Sequence, residues 1–145
     1  MATTFSERVP GWFWLVAGLA LLWEAMGCAS YLMQVSMDAE QLAALPEAER
    51  QLMTSVPVWA NAAFAIATWG GLAAAIGLLL RRRWSQALFA ISLVAVIVQF
   101  SWWLLIARAA DVMGPSTYAM PVAIIAIGAV LLWFSSMAAK RGWLR

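Results

Sequence analysis

Residues 11–34 read GWFWLVAGLALLWEAMGCASYLMQ, an apolar run interrupted near its middle by one carboxylate, Glu24. An α-helix needs about 20 such residues to cross a hydrocarbon core about 30 Å thick. Three further runs of the same kind follow, at residues 57–80, 84–107 and 118–138. Together they take up most of the 145 residues and predict one domain over 1–145. The expected fold class is all-α, an integral membrane four-helix bundle. Glu24 is the only acid inside any of the four runs.

Composition narrows the function. The chain is 65% hydrophobic and 11% charged, against about 25% charged in a soluble domain. Little mass remains outside the four runs, so there is no room for a soluble catalytic or nucleic-acid-binding module. No nucleic-acid partner is expected; the lipid bilayer is the expected surroundings. There is one cysteine, Cys28, and no histidine. That composition excludes an intramolecular disulfide, Cys/His zinc sites and histidine-based triads. Neither a cofactor nor a metal is expected, and there is no nucleophile–base pair from which to build an enzyme. Ala25-Met26-Gly27-Cys28 matches a lipoprotein cleavage site poorly, with an acid just before it.

The charges are sorted by side. Arg8 precedes the first run, Arg81–Arg83 follow the second, and Lys140, Arg141 and Arg145 follow the fourth. The opposite loops hold Asp38, Glu40, Glu47, Glu49 and Asp111, with Arg50 and Arg108 their only bases. Seven of the nine Lys and Arg residues therefore share one side. The positive-inside rule makes that side cytoplasmic, with both termini there, in a bacterial inner membrane. Trp12, Phe13 and Trp14 are expected at headgroup depth, as an aromatic belt.

The first outer loop, residues 35–56, is too long for a simple hairpin. Asp38 and Gln41 have capping-box spacing. Leu42, Leu45, Leu52 and Met53 form an approximate helical stripe. Pro46 would either kink one helix or start a second. One or two short interfacial helices are expected here, with an ordered acidic loop as the alternative. The second run is dense in small residues, with Ala67/Gly71 and Ala73/Gly77 spaced four apart; such pairs let backbones approach closely, within the bundle or across a dimer. Gly114-Pro115 breaks the loop before the last helix, which Ser116 or Thr117 can cap.

Counting from the run centres places Trp23, Glu24, Thr68, Trp69 and Gly128 near the bilayer midplane. Gln99 falls about one turn further out. Residues share faces at helical spacing: Glu24, Gly27/Cys28 and Tyr31; Asn61, Ala65 and Thr68; Ser92, Val96, Gln99 and Trp103; Pro121, Ile125, Gly128, Leu132 and Ser135. Polar groups avoid lipid, because nothing there satisfies them. The stripes are therefore expected to point inward and line a cavity with Glu24, Tyr31, Asn61, Thr68, Gln99 and Trp103, weighted toward the outer half. An ionised carboxylate at this depth costs several kcal/mol or more, so Glu24 should pair or take up a proton. Gln99, Thr68 or a Trp N–H are its expected hydrogen-bond partners. Trp69 and Trp23, deep beside the acid, suit either core packing or stacking on a flat or cationic ligand. An interhelical hydrogen bond that only fixes the bundle is the structural alternative for Glu24. Cys28 reads as packing.

The stretches PGWFWLVAGLALLWEAMGCASYLM and PVWANAAFAIATWGG, the short basic turn and the ending KRGWLR resemble an uncharacterised family of small bacterial four-span proteins. Its members often carry the label sugar transporter, and the resemblance implies transport. Locally, Leu22-Trp23-Glu24-Ala25-Met26-Gly27 is similar to the first helix of small multidrug-resistance exporters. Those proteins also place a mid-span glutamate three residues before a glycine and exchange protons for hydrophobic cations. That resemblance implies a proton- and ligand-binding role for Glu24, with Trp69 as an aromatic wall. The long acidic loop and the charge asymmetry depart from that pattern. The expected function is a small-molecule transporter or binding protein built on the Glu24 cavity, with proton coupling. The alternative is a non-transporting accessory subunit, packing through its Ala/Gly-rich helix against a larger membrane complex or a second copy.

The charge bias makes a direct prediction. A green fluorescent protein fused after Arg145 should fluoresce, and alkaline phosphatase fused there should be inactive. Fusions after Glu40 should give the reverse pair of results.

Overall fold

Prolines decide where three of the helices begin. Pro10, Pro46 and Pro57 each precede a helix in an extended conformation, with ψ of 155°, 144° and 157°. Proline suits a helix start because it lacks the N–H that would be unpaired there. The computed structural model describes residues 8–145; residues 1–7 of the expected domain lie outside the described residues. Among the described residues the chain is all helical. The helices are α1 (Gly11–Val35), α2 (Ala39–Ala44), α3 (Glu47–Thr54), α4 (Val58–Leu79), α5 (Trp84–Ser101), α6 (Ala109–Met113) and α7 (Ala119–Lys140). Four segments are long and apolar enough to cross a membrane: Gly11–Val35, Val58–Leu79, Trp84–Ile106 and Pro115–Lys140.

The acidic loop forms two helices rather than one kinked helix. Asp38 accepts from the Gln41 backbone N–H at 2.8 Å, while the Asp38 N–H donates to the Gln41 side chain at 3.0 Å. This reciprocal pair satisfies two of the unpaired N–H groups at the start of α2. Pro46 then ends the first helix and opens α3. Two sequence expectations need correction at the far side of the acidic end. The third run is α-helical only to Ser101; Trp102–Ile106 form a wider π turn, with the Ala107 N–H donating to the Trp102 carbonyl at 2.8 Å. Neither Ser116 nor Thr117 caps α7, because a 3-10 turn over Pro115–Tyr118 runs directly into it. The Thr117 hydroxyl instead donates to the Gly114 carbonyl at 2.7 Å.

α4 is the central helix. It packs on α1 to one side and α5 to the other, and α5 in turn packs on α7; no comparable backbone contact joins α1 to α7. Its small residues explain the position. Ala60, Ala63, Ala67, Gly71, Ala74, Ala75 and Gly77 are all buried, so neighbouring backbones can come close. The Ser92 hydroxyl of α5 donates across that contact to the Ala67 carbonyl at 2.6 Å. Trp84 lies over Gly77, where a Cβ would come within 2.8 Å of its ring.

The basic end is sealed by the C-terminal residues. α7 stops in a Schellman motif: the Trp143 N–H donates to the Ala138 carbonyl and the Gly142 N–H to the Ala139 carbonyl. Gly142 has φ of 73°, which glycine adopts without steric penalty. α4 ends the same way around Arg81, a non-glycine residue at φ 57°. Such a conformation costs about 1–2 kcal/mol. It is held by the tail: the Arg81 Nε donates to the Trp143 carbonyl at 2.7 Å, and the Arg145 N–H donates to the Arg81 carbonyl at 2.6 Å. The tail delivers Trp143 and Leu144 into a core with Phe13, Leu78 and Phe134. Phe13 stacks on Phe134 at 5.7 Å, and Trp12 meets Trp143 edge-on at 5.5 Å. Phe13 thus turns inward rather than joining Trp12 and Trp14 in an aromatic belt; it is fully buried, while the two tryptophans stay exposed.

The indole nitrogen of Trp143 is buried without a hydrogen-bond partner among the described residues. Its contribution is therefore ring packing. Trp143→Ala should destabilise the protein by about 3–5 kcal/mol, whereas Trp143→Phe should stay within about 1.5 kcal/mol of wild type. Unfolding of the purified protein in detergent, followed by circular dichroism, would measure both.

Candidate functional site

Where α1 and α7 part, a cavity of about 360 Å³ opens among the four long helices. Its size lies at the lower end of the range for small-molecule sites, about 300–1,000 Å³. α1 contributes Trp23, Glu24 and Gly27; α4 contributes Asn61 and Thr68; α5 contributes Ser92 and Gln99. Gly128 lies on α7, and the π turn adds Trp102 and Trp103 to the lining.

Glu24 is placed by its neighbour on α4. Its carboxyl lies directly over Gly71: a Cβ there would overlap Oε2 and sit 2.6 Å from Cδ. Only glycine leaves that space. One turn away, Thr68 turns its methyl group toward Gly27. Its hydroxyl donates back to its own helix, to the Phe64 carbonyl at 3.0 Å. The Cys28 thiol donates to the Thr68 carbonyl at 3.3 Å, which matches a packing role. Glu24 itself has no hydrogen bond or ion pair among the described residues. The expected bonds to Thr68, Gln99 or an indole are thus not formed; Thr68 turns its methyl group rather than its hydroxyl toward α1. A mid-helix carboxyl facing open space can accept hydrogen bonds from a bound molecule, hold a proton or pair with a cation. No three metal-ligating side chains come together among the described residues.

Five of the seven residues singled out from sequence share this cavity: Glu24, Asn61, Thr68, Gln99 and Trp103. Two do not. Tyr31 packs its ring edge-on against Phe64 at 5.3 Å, in the α1–α4 contact. Glu24 and Gly27 of the expected α1 stripe do line the cavity, but the lining continues through Ser30 and Gln34, with Trp23 beside Glu24, in place of Tyr31. Trp69 lies on the outer surface, 45% exposed. Thr68 occupies the inward position, and the next residue on a helix points about 100° away.

Gly71 escaped sequence reasoning as a site residue, although it was noted as a packing residue. It lies three residues beyond Thr68, on the same face, which was the available signal. Gln34 was also missed; its side-chain amide donates to Asn61 Oδ1 at 3.5 Å. Compared with known proteins, the chain matches no family model, no curated protein and no solved structure.

The seat of Glu24 can be tested by a double-mutant cycle. Gly71→Ala should cost about 1–3 kcal/mol through overpacking. In a Glu24→Ala background the same change should be neutral or stabilising, since alanine favours helix by up to about 1 kcal/mol over glycine. Equal costs in both backgrounds, read from detergent unfolding curves, would show that the carboxyl does not occupy this position.

Proposed function

We propose that this protein is a multi-pass protein of a bacterial inner membrane, with its basic end and both termini in the cytoplasm, and that it binds or transports a small molecule at Glu24. The carrying observation is a carboxyl, seated on Gly71, that faces a cavity and has no partner among the described residues. A purely structural acid would spend its hydrogen bonds on neighbouring helices. Burying an acid and leaving it unpaired is costly, and membrane-embedded acids of this kind commonly mark ligand or proton paths. In the coupled form of this reading, Glu24 holds a proton when the cavity is empty and releases it when a ligand group takes its place. The transport implied by the whole-chain resemblance points the same way.

A second reading has its own support. An apolar groove between α4 and α5, lined by Trp59, Ala62, Ile66, Ile91, Val94 and Val98, lies on the outer face. A larger membrane complex or a second copy would pack there, and the protein would then be an accessory subunit.

Thermal unfolding of the purified protein against a small-molecule panel, at several pH values, separates the two. Under the first reading, some compounds stabilise wild type, Glu24→Gln keeps the wild-type fold, and that variant loses the stabilisation. A ligand at 100 times its Kd adds about 2.7 kcal/mol, so the shift is measurable. Unchanged ligand response in Glu24→Gln would count against the site. Co-purification of a stoichiometric membrane partner, unaffected by that substitution, would favour the accessory role.

A further inference from the structure

We propose that the Glu24 cavity is loaded sideways, from the membrane leaflet at the acidic end through the gap between α1 and α7. We further propose that its ligand is a lipophilic molecule carrying one or two hydrogen-bond donors, not a polyol. This rests on the reading of Glu24 as a ligand site and adds the route and the chemical class.

The route follows from what is closed. At the basic end, Trp12 and Phe13 of α1 meet Phe134 and Trp143, which fills the space between α1 and α7. At the acidic end, α3 packs on α6, with Leu52 and Ala109 buried there, and Met53 and Val56 form the cavity ceiling beneath them. α4 and α5 pack closely and form the back wall. Only the α1–α7 side remains. Met26 and Ser30 on α1 and Met120 on α7 line the cavity and are exposed at the same time. Leu22, Met33 and Val122 beside them are about two-thirds exposed. An opening rimmed by such side chains, running from Met26 near the middle of α1 to the first turn of α7, faces the hydrocarbon of the leaflet at the acidic end.

The class follows from a count of hydrogen-bonding groups. Most hydroxyl and amide side chains in the lining have already spent a donor, and the hydroxyls can only accept further bonds. Ser30 donates to Met26, Thr68 to Phe64 and Ser92 to Ala67, each to a carbonyl, and Gln34 pairs with Asn61. Glu24 and Gln99 are left with their full capacity, Trp23, Trp102 and Trp103 of the lining add one indole N–H each, and the remaining walls are chiefly aliphatic and aromatic. A hexose brings several hydroxyls. Each one stripped of water and left unmet lowers affinity by roughly tenfold or more. A molecule with one or two donors loses nothing in this way and gains from the apolar walls.

Photolabelling of the full-length protein in lipid nanodiscs tests both parts. The probes are a photoactivatable long-chain alcohol and a photoactivatable glucose. Labelled residues are read by mass spectrometry at Thr68 and Val96, which face the cavity from the back wall. The alcohol should label these positions and glucose should not. Glu24→Ala should reduce alcohol labelling about tenfold, the loss of one hydrogen bond to a charged group. Ser30→Trp, and independently Met120→Trp, should block the gap and abolish it, with circular dichroism confirming the fold. Labelling that survives both blocking variants overturns the lateral route. Back-wall labelling by glucose alone overturns the chemical class while leaving the cavity reading intact. Absence of back-wall labelling by either probe overturns the cavity reading as well.

Discussion

The close approach of α1 and α5 to α4 is the constraint on which everything else rests. It exists because α4 carries alanine and glycine where a typical span carries leucine. Gly71 serves both purposes, as a packing residue and as the space that receives the Glu24 carboxyl. Had a larger side chain stood there, Glu24 would have to swing out of the contact or force the two helices apart. The Ser92 hydroxyl bonded to the Ala67 carbonyl shows the same closeness on the α5 side.

The two ends of the molecule are built differently. At the basic end, large aromatic rings bridge α1 and α7, and the returning tail locks α4 to α7 through backbone hydrogen bonds. At the acidic end, the same two helices are separated, and short helices cover the space between them. A rigid base and a divided upper half place open volume beside the one acid in the long helices. The π turn adds to this arrangement. It breaks regular helical spacing where Trp102 and Trp103 join the cavity lining, and such wide turns recur at functional sites.

Much of the site was legible because polar residues in an apolar helix can point in few directions. Asn61, Thr68, Ser92, Gln99 and Trp103 all reached the cavity from spacing alone. Tyr31 and Trp69 did not, for two separate reasons. A periodic stripe defines a face but not its exact rotation, and α1 is turned so that Ser30 and Gln34 replace Tyr31 in the lining. Trp69 was placed by depth, which says nothing about direction around the helix. The absence of a partner for Glu24 among the described residues was equally hidden, because the rotamer of Thr68 turns its methyl group toward α1.

Local chemistry therefore settled the number of long helices, their approximate ends and the position of Glu24 midway along the first. Run length, proline and the capping pair act within a few residues, so they can be read in order along the chain. Which helices are neighbours was a matter for the tertiary structure alone, and so was the gap between α1 and α7. Those depend on how side-chain volumes from distant segments fit together: Gly71 beneath Glu24, Phe134 against Phe13, Trp143 folded back beneath both.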